Sequence, residues 1–88
     1  MIFITMGRFR KKATKAFIAE TSRFLEQAIK EGGKLLAAYW TLGRYDLILI
    51  MEAKDEETAM KWVMRAGDLL STETLVAVRR EEALKLVE

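Results

Sequence analysis

TLGRYDLILIM, residues 41–51, decides how this chain folds. A glycine-marked turn, Gly43-Arg44, leads through Tyr45 and Asp46 into Leu47-Ile48-Leu49-Ile50-Met51, with no polar residue in the run. Successive residues of a strand point to opposite faces, so this one is apolar on both. An antiparallel strand with one wet face should alternate instead. Two covers are therefore required, and the carboxylate of Asp46 stands at the entrance to a doubly buried segment.

Outward from this strand, the punctuation is all glycine, since proline is absent. Upstream, KLLAAYWTL (34–42) reads as its hairpin partner. Before that, GRFRKKATKAFIAETSRFLEQAIKEGG (7–33) reads as one helix. Its rows Ala13, Phe17, Phe24, Ala28 and Ile18, Leu25, Ile29 form a core-facing stripe, and Gly32-Gly33 end it. IFITM (2–6) is a β-branched first strand. Downstream, DEETAMKWVMRAGDLL (55–70) is a second helix with Asp55 as N-cap and Ala59, Val63, Ala66 and Leu70 on its buried row. Met60, Trp62 and Met64 read as core and interface filler. STETLVAVR (71–79) is a fourth strand, and EEALKLVE (81–88) is a short tail, either a last helical turn or a frayed end.

The order βαββαβ gives an α+β, ferredoxin-like domain spanning 1–88: a four-stranded antiparallel sheet with two helices on one face. The second face is left for another copy, which makes a dimeric α+β barrel. At 88 residues a single core is barely sufficient, so a subunit interface would help stability. A two-residue turn at Gly43-Arg44 pairs Leu42 with Tyr45, Thr41 with Asp46, Trp40 with Leu47 and Tyr39 with Ile48. Leu36, Ala38, Trp40, Leu42, Tyr45, Leu47, Leu49 and Met51 then face the helices, with Trp40 against the second helix near Val63. Leu35, Ala37, Tyr39, Thr41, Asp46, Ile48 and Ile50 face the second copy; a one-residue slip would exchange the faces.

Composition narrows the chemistry. There is no histidine and no cysteine, which removes the commonest general base, the commonest metal ligand, thiolate chemistry and disulfides together. No paired carboxylates stand at a recognisable spacing. The reading favours binding over catalysis, with no cofactor and no metal. Fifteen basic residues against thirteen acidic ones leave a net charge of +2, too small to imply polyanion binding. The third strand lacks the basic and aromatic residues of an RNA-recognition strand, so no nucleic-acid partner is expected. No run is long and apolar enough for a membrane span, and MIFITM lacks the features of a signal segment; a cytoplasmic location is expected.

Two candidate sites emerge. Tyr39, Thr41, Asp46 and Ile48, joined by Thr72 and Thr74 of the fourth strand, could line a small-molecule cavity between copies, with Asp46 and Tyr39 as anchors. The bland reading gives Asp46 to the turn, satisfying backbone N–H groups, and makes the threonines mere strand formers. Arg8, Arg10, Lys11, Lys12 and Lys15 form a basic cluster at the start of the first helix. There it opposes the helix dipole, so it is either an anion site or a solvated, salt-bridging surface.

The Gly43-Arg44-Tyr45-Asp46 segment, within LGRYDLILIMEAKDEETAMKW (42–62) and followed by TETL (72–75), resembles the G-x-Y-D signature of the GYD-motif family. EGGKLLAAYWTLG (31–43) agrees, while TMGRFRKKATK (5–15) departs from that family's polar T-x-x-G entry. The resemblance implies a ferredoxin-like dimeric barrel without an assigned activity. It also implies a likeness to the effector-binding domain of leucine-responsive and asparagine-type regulators, which binds small metabolites between subunits. Enzymes are found on such barrels too, so a cofactor-free monooxygenase- or isomerase-like activity is the alternative.

Overall fold

A computed structural model describes residues 1–87; Glu88, the end of the tail read above, lies outside the described residues. The elements are β1 (Ile2–Phe9), α1 (Lys15–Lys30), β2 (Lys34–Trp40), β3 (Leu47–Glu52), α2 (Glu56–Arg65), β4 (Leu70–Ala77) and α3 (Arg80–Leu84). The sheet order is β2-β3-β1-β4, all neighbours antiparallel. This is the ferredoxin-like α+β fold expected from the pattern. The first half of the tail, from Glu81 to Leu84, lies in the short helix α3.

The first helix is shorter than the sequence suggested. β1 continues through Arg8 to Phe9, and the helix starts at Lys15, where Thr14 caps it by accepting from the Phe17 N–H at 3.1 Å. Pairing of Arg8 with Ser71 and of Phe9 with Leu70 on β4 extends it, an advantage invisible in helical periodicity. Ala13 therefore lies in the connecting loop, and the basic cluster is spread from Arg8 on β1 through the loop to Lys15, the first residue of α1. Phe17 and Ala28 are the buried residues of α1, while Ile29 is exposed. The helix ends in a Schellman motif. The Gly33 N–H bonds the Ala28 carbonyl at 2.9 Å, the Gly32 N–H bonds the Ile29 carbonyl at 3.1 Å, and Gly32 takes φ 104°. Asp55 caps α2 through the Thr58 N–H and hydroxyl; these bonds hold its carboxyl below the usual range.

Cross-strand register separates the two faces of the sheet. Phe3 is buried beside Ala28, Ala59 and Trp62, so its partners Met51 and Val76 lie on the helix side. Leu47, Leu49, Ala38 and Trp40 follow on that side. The opposite face is a grid. Tyr39, Ile48, Met6 and Glu73 form one row across all four strands, and Ala37, Ile50, Ile4 and Leu75 form the next. No described element covers this face.

Three local expectations are corrected. A register shift between Leu35 and Ala37 leaves Leu36 unpaired and sets Leu35 opposite Met51, so Leu35 takes the helix side. Trp40 packs edge-on against Phe9, centroids 5.8 Å apart, and remains 68% exposed. The tryptophan packed in the core is Trp62, and Met60 and Met64 point away from it into solvent. The helix-side core is thin: among the described residues no large side chain is completely buried, and a cavity of about 80 Å³ remains between helices and sheet.

Glu31, the C-cap of α1, joins the two helices. It accepts from Arg65 at 2.8 Å, Gln27 at 2.8 Å and the Trp62 indole at 3.2 Å. The Arg65 hydrogen bond, then that of Gln27, hold its carboxyl down to about 2.

Candidate functional site

Asp46 is where the hairpin departs from a tight two-residue turn. The ladder between β2 and β3 stops at Trp40–Leu47, and residues 41–46 form a wider loop, joined at its base by the Thr41 N–H on the Asp46 carbonyl at 2.8 Å, with Gly43 at φ 101°. The Asp46 N–H still bonds the Gly7 carbonyl at 2.8 Å. One step further along β1, the Phe9 N–H has lost its strand partner. The Asp46 side chain replaces it, accepting that N–H at 2.8 Å. A half-buried orphan donor is costly, so this carboxylate completes the ladder that the turning chain leaves unfinished. Thr41 holds the same loop, its hydroxyl donating to the Tyr45 carbonyl at 2.6 Å.

With Asp46 bound to β1, Tyr45 exchanges the face expected of it. Its hydroxyl reaches across to β4 and donates to Glu73 at 3.0 Å. The Arg8 guanidinium sits 5.8 Å from the centre of its ring, and the Arg8 Nε donates to the Arg44 carbonyl at 2.6 Å. Arg8 and Glu73 belong to the uncovered face, so the tyrosine of the G-x-Y-D segment does too. Arg8, Arg44, Tyr45, Ser71, Thr72 and Glu73 line an open, polar cleft of about 370 Å³ at the end of the apolar grid.

The residues read from the sequence are thus divided. Tyr39 and Ile48 are paired on the uncovered face, in the row containing Glu73. Thr41 and Asp46 build the loop beside them. Thr72 and Thr74 pair with Gly7 and Thr5 on the helix side, the Thr5 and Thr74 hydroxyls lie 3.0 Å apart, and both threonines border a groove beside α2; of the two, Thr72 also lines the polar cleft. The reason is register, since odd-numbered residues of β1 from Phe3 to Gly7 face the helices and carry their β4 partners with them. The basic cluster is also split. Arg8 belongs to the cleft, and Arg10 donates from Nε to the Gly67 carbonyl at 2.7 Å. Lys11, Lys12 and Lys15 stay exposed on the β1–α1 connection and the first residue of α1.

Sequence reasoning put Tyr45 on the helix side and missed Arg44 and Glu73 as site residues. The available signal was parity: once β1 extends to Phe9, Arg8 falls on the uncovered face, and Glu73 lies two residues along β4 from its partner Ser71. No group of three or more potential metal ligands occurs among the described residues. No described helix is long and apolar enough to cross a membrane.

A family model described as the GYD domain matches residues 3–87. No curated protein matches the chain. Among solved structures, 5-chloro-2-hydroxyhydroquinone dehydrochlorinase from Burkholderia phenoliruptrix AC1100, in complex with 2,5-dihydroxybenzoquinone, is similar with a TM-score of 0.64 and 21% identity over 93% of this chain and 98% of that one. A protein from Thermus thermophilus gives a TM-score of 0.55 and 24% identity over 89% and 92%. LrpC of B. subtilis gives 0.59 and 16%, covering 90% of this chain and 53% of its own length. At these identities the likeness is one of fold.

Proposed function

We propose, for a chain that belongs to the GYD domain family, that two copies pack open sheet face to open sheet face and hold a small molecule between them. The observation that carries this is the uncovered grid, with Ile48, Ile50, Ile4, Met6 and Leu75 at its centre and charged groups at its ends. At strand spacings of about 4.8 Å and rises of about 3.3 Å per residue, the face measures roughly 19 by 25 Å. Burying it against a second sheet supplies the apolar area that a thin, one-sided core lacks.

Stacked sheets stand about 10 Å apart, and space survives between them wherever side chains do not meet. The end carrying Tyr39, Tyr45, Arg8 and Glu73 has such space beside convergent polar groups, the ordinary make-up of a ligand site. Tyr39 and Ile48 form its wall. Asp46 and Thr41 shape its floor indirectly, through the loop. A small hydroxylated ring compound in a structure of the same fold supports this class of ligand.

Fragment binding followed by ¹H–¹⁵N NMR tests the reading. Binders should shift Arg8, Tyr45 and Glu73 and leave Met60 and Met64 on α2 unmoved. Shifts confined to the groove between α2 and β4 would overturn it.

A further inference from the structure

The charges around this cleft point to one class of ligand, an inference that rests on the uncovered face being the ligand face. Arg8 is fixed twice, by its Nε bond to the Arg44 carbonyl and by the Tyr45 ring beneath its guanidinium. Its terminal nitrogens form no ion pair among the described residues, whose salt bridges both belong to Glu31 across the molecule. The Arg44 side chain has no ion pair there either. Glu73 already accepts the Tyr45 hydroxyl on Oε1. Two arginines against one glutamate leave a formal charge of +1 in the cleft.

We propose that the site takes a small organic carboxylate, a single anionic head on a flat apolar body. An immobilised guanidinium presents paired N–H donors that match a carboxylate bidentately. A dianionic phosphate would exceed the local charge and face Glu73 as well. Beside Glu73 in the same cross-strand row, Met6, Ile48 and Tyr39 are apolar or aromatic and accommodate a ring rather than a hydrated ion. The preference is the reverse of the one an exposed Asp46 would give, because that carboxylate is turned onto the Phe9 N–H.

The test uses the full chain with benzoate as probe, benzamide as its neutral counterpart and inorganic phosphate as a bare anion, all at matched ionic strength. Titration is followed by calorimetry and by the Arg8 Nε–H and Tyr45 resonances, with light scattering on the same samples. The expected result is saturable benzoate binding, with benzamide and phosphate each at least about tenfold weaker, the factor set by one charge-assisted hydrogen bond. Arg8→Gln should lose benzoate by a similar factor without changing the particle mass. Arg44→Gln, which removes no bond seen within the described fold, should weaken it as well. Equal binding of benzamide, equal binding of phosphate, or wild-type affinity in both variants would overturn the carboxylate assignment. A dimer that ignores benzoate would overturn it too, while leaving the assembly intact; a monomer would overturn the assembly itself.

Discussion

The two faces of the sheet are built from the same kinds of residue and meet different fates. On one, Phe3 and Met51 are roofed by α1 and α2, with Trp62, Ala28 and Ala59 packed against them. On the other, Ile4, Ile48 and Ile50 have no roof among the described residues and are shielded only by their neighbours within the sheet. An apolar residue on a strand specifies that something must cover it, but not what. The polar residues differ in the same way. Around the helices, Glu31 is saturated by Arg65, Gln27 and Trp62. At the end of the open face, Arg8 and Arg44 hold charge without an ionic partner among the described residues. One face is finished by its own chain; the other is left open among the described residues.

Substituting one residue on each side should separate them most sharply. Ile48→Asp places an unpaired charge at the centre of the open face, and burying it should cost several kcal/mol, on the order that abolishes assembly. Met64→Asp, on the outer surface of α2 where the side chain is 72% exposed, should change stability by no more than about 0.5 kcal/mol. Light scattering and thermal melts on the pair check the contrast. Equal behaviour would mean that the open face is not buried.

Gly33→Ala attacks only the helix side. A Cβ there would stand 2.7 Å from the Trp62 ring and 2.9 Å from the Ala28 carbonyl, so the Schellman turn or the indole must move. A loss of about 1–3 kcal/mol is expected in denaturant unfolding, with the particle mass unchanged. Asp46 stands at the border of the two faces. Asp46→Ala orphans the Phe9 N–H and should cost about 1–3 kcal/mol, whereas Asp46→Asn keeps an acceptor and should cost less. If the two variants unfolded alike, the bond to Phe9 would not be what the carboxylate contributes.

The smallest effect is electrostatic and belongs to the helix side. Glu31 is held at about 2 against an ordinary 4.5, chiefly by Arg65, so its contribution to stability is complete above pH 4.5. It fades as pH falls from 4.5 toward 2, because the unfolded chain takes up the proton first. The acid slope of the melting temperature in that window should flatten in Glu31→Gln. An unchanged slope would assign it to other carboxylates.

Much of this was legible in the sequence because it depends on parity. The unbroken apolar run from Leu47 to Met51 announced two apolar faces, and the Trp40–Leu47 and Tyr39–Ile48 pairs put Ile48 and Ile50 on the open one. What parity could not carry was its interruption. The bulge at Leu36 and the opening of the loop at 41–46 each reset the alternation, moving Leu35 to the helix side and Tyr45 to the open one. The extension of β1 was hidden because Arg8 and Phe9 suit a helix start as well as a strand end. Only pairing with Ser71 and Leu70 decides between them. The role of Asp46 was legible as one of two alternatives. Its partner, a backbone N–H 37 residues away, was not.

The central claim is that the open face is an interface, and the mass of the particle in solution tests it most directly. Multi-angle light scattering across micromolar concentrations should give twice the chain mass of 10.1 kDa, or an even multiple of it, with Ile48→Asp returning the species to a single chain. A particle of 10.1 kDa for the unaltered protein throughout that range would contradict the account.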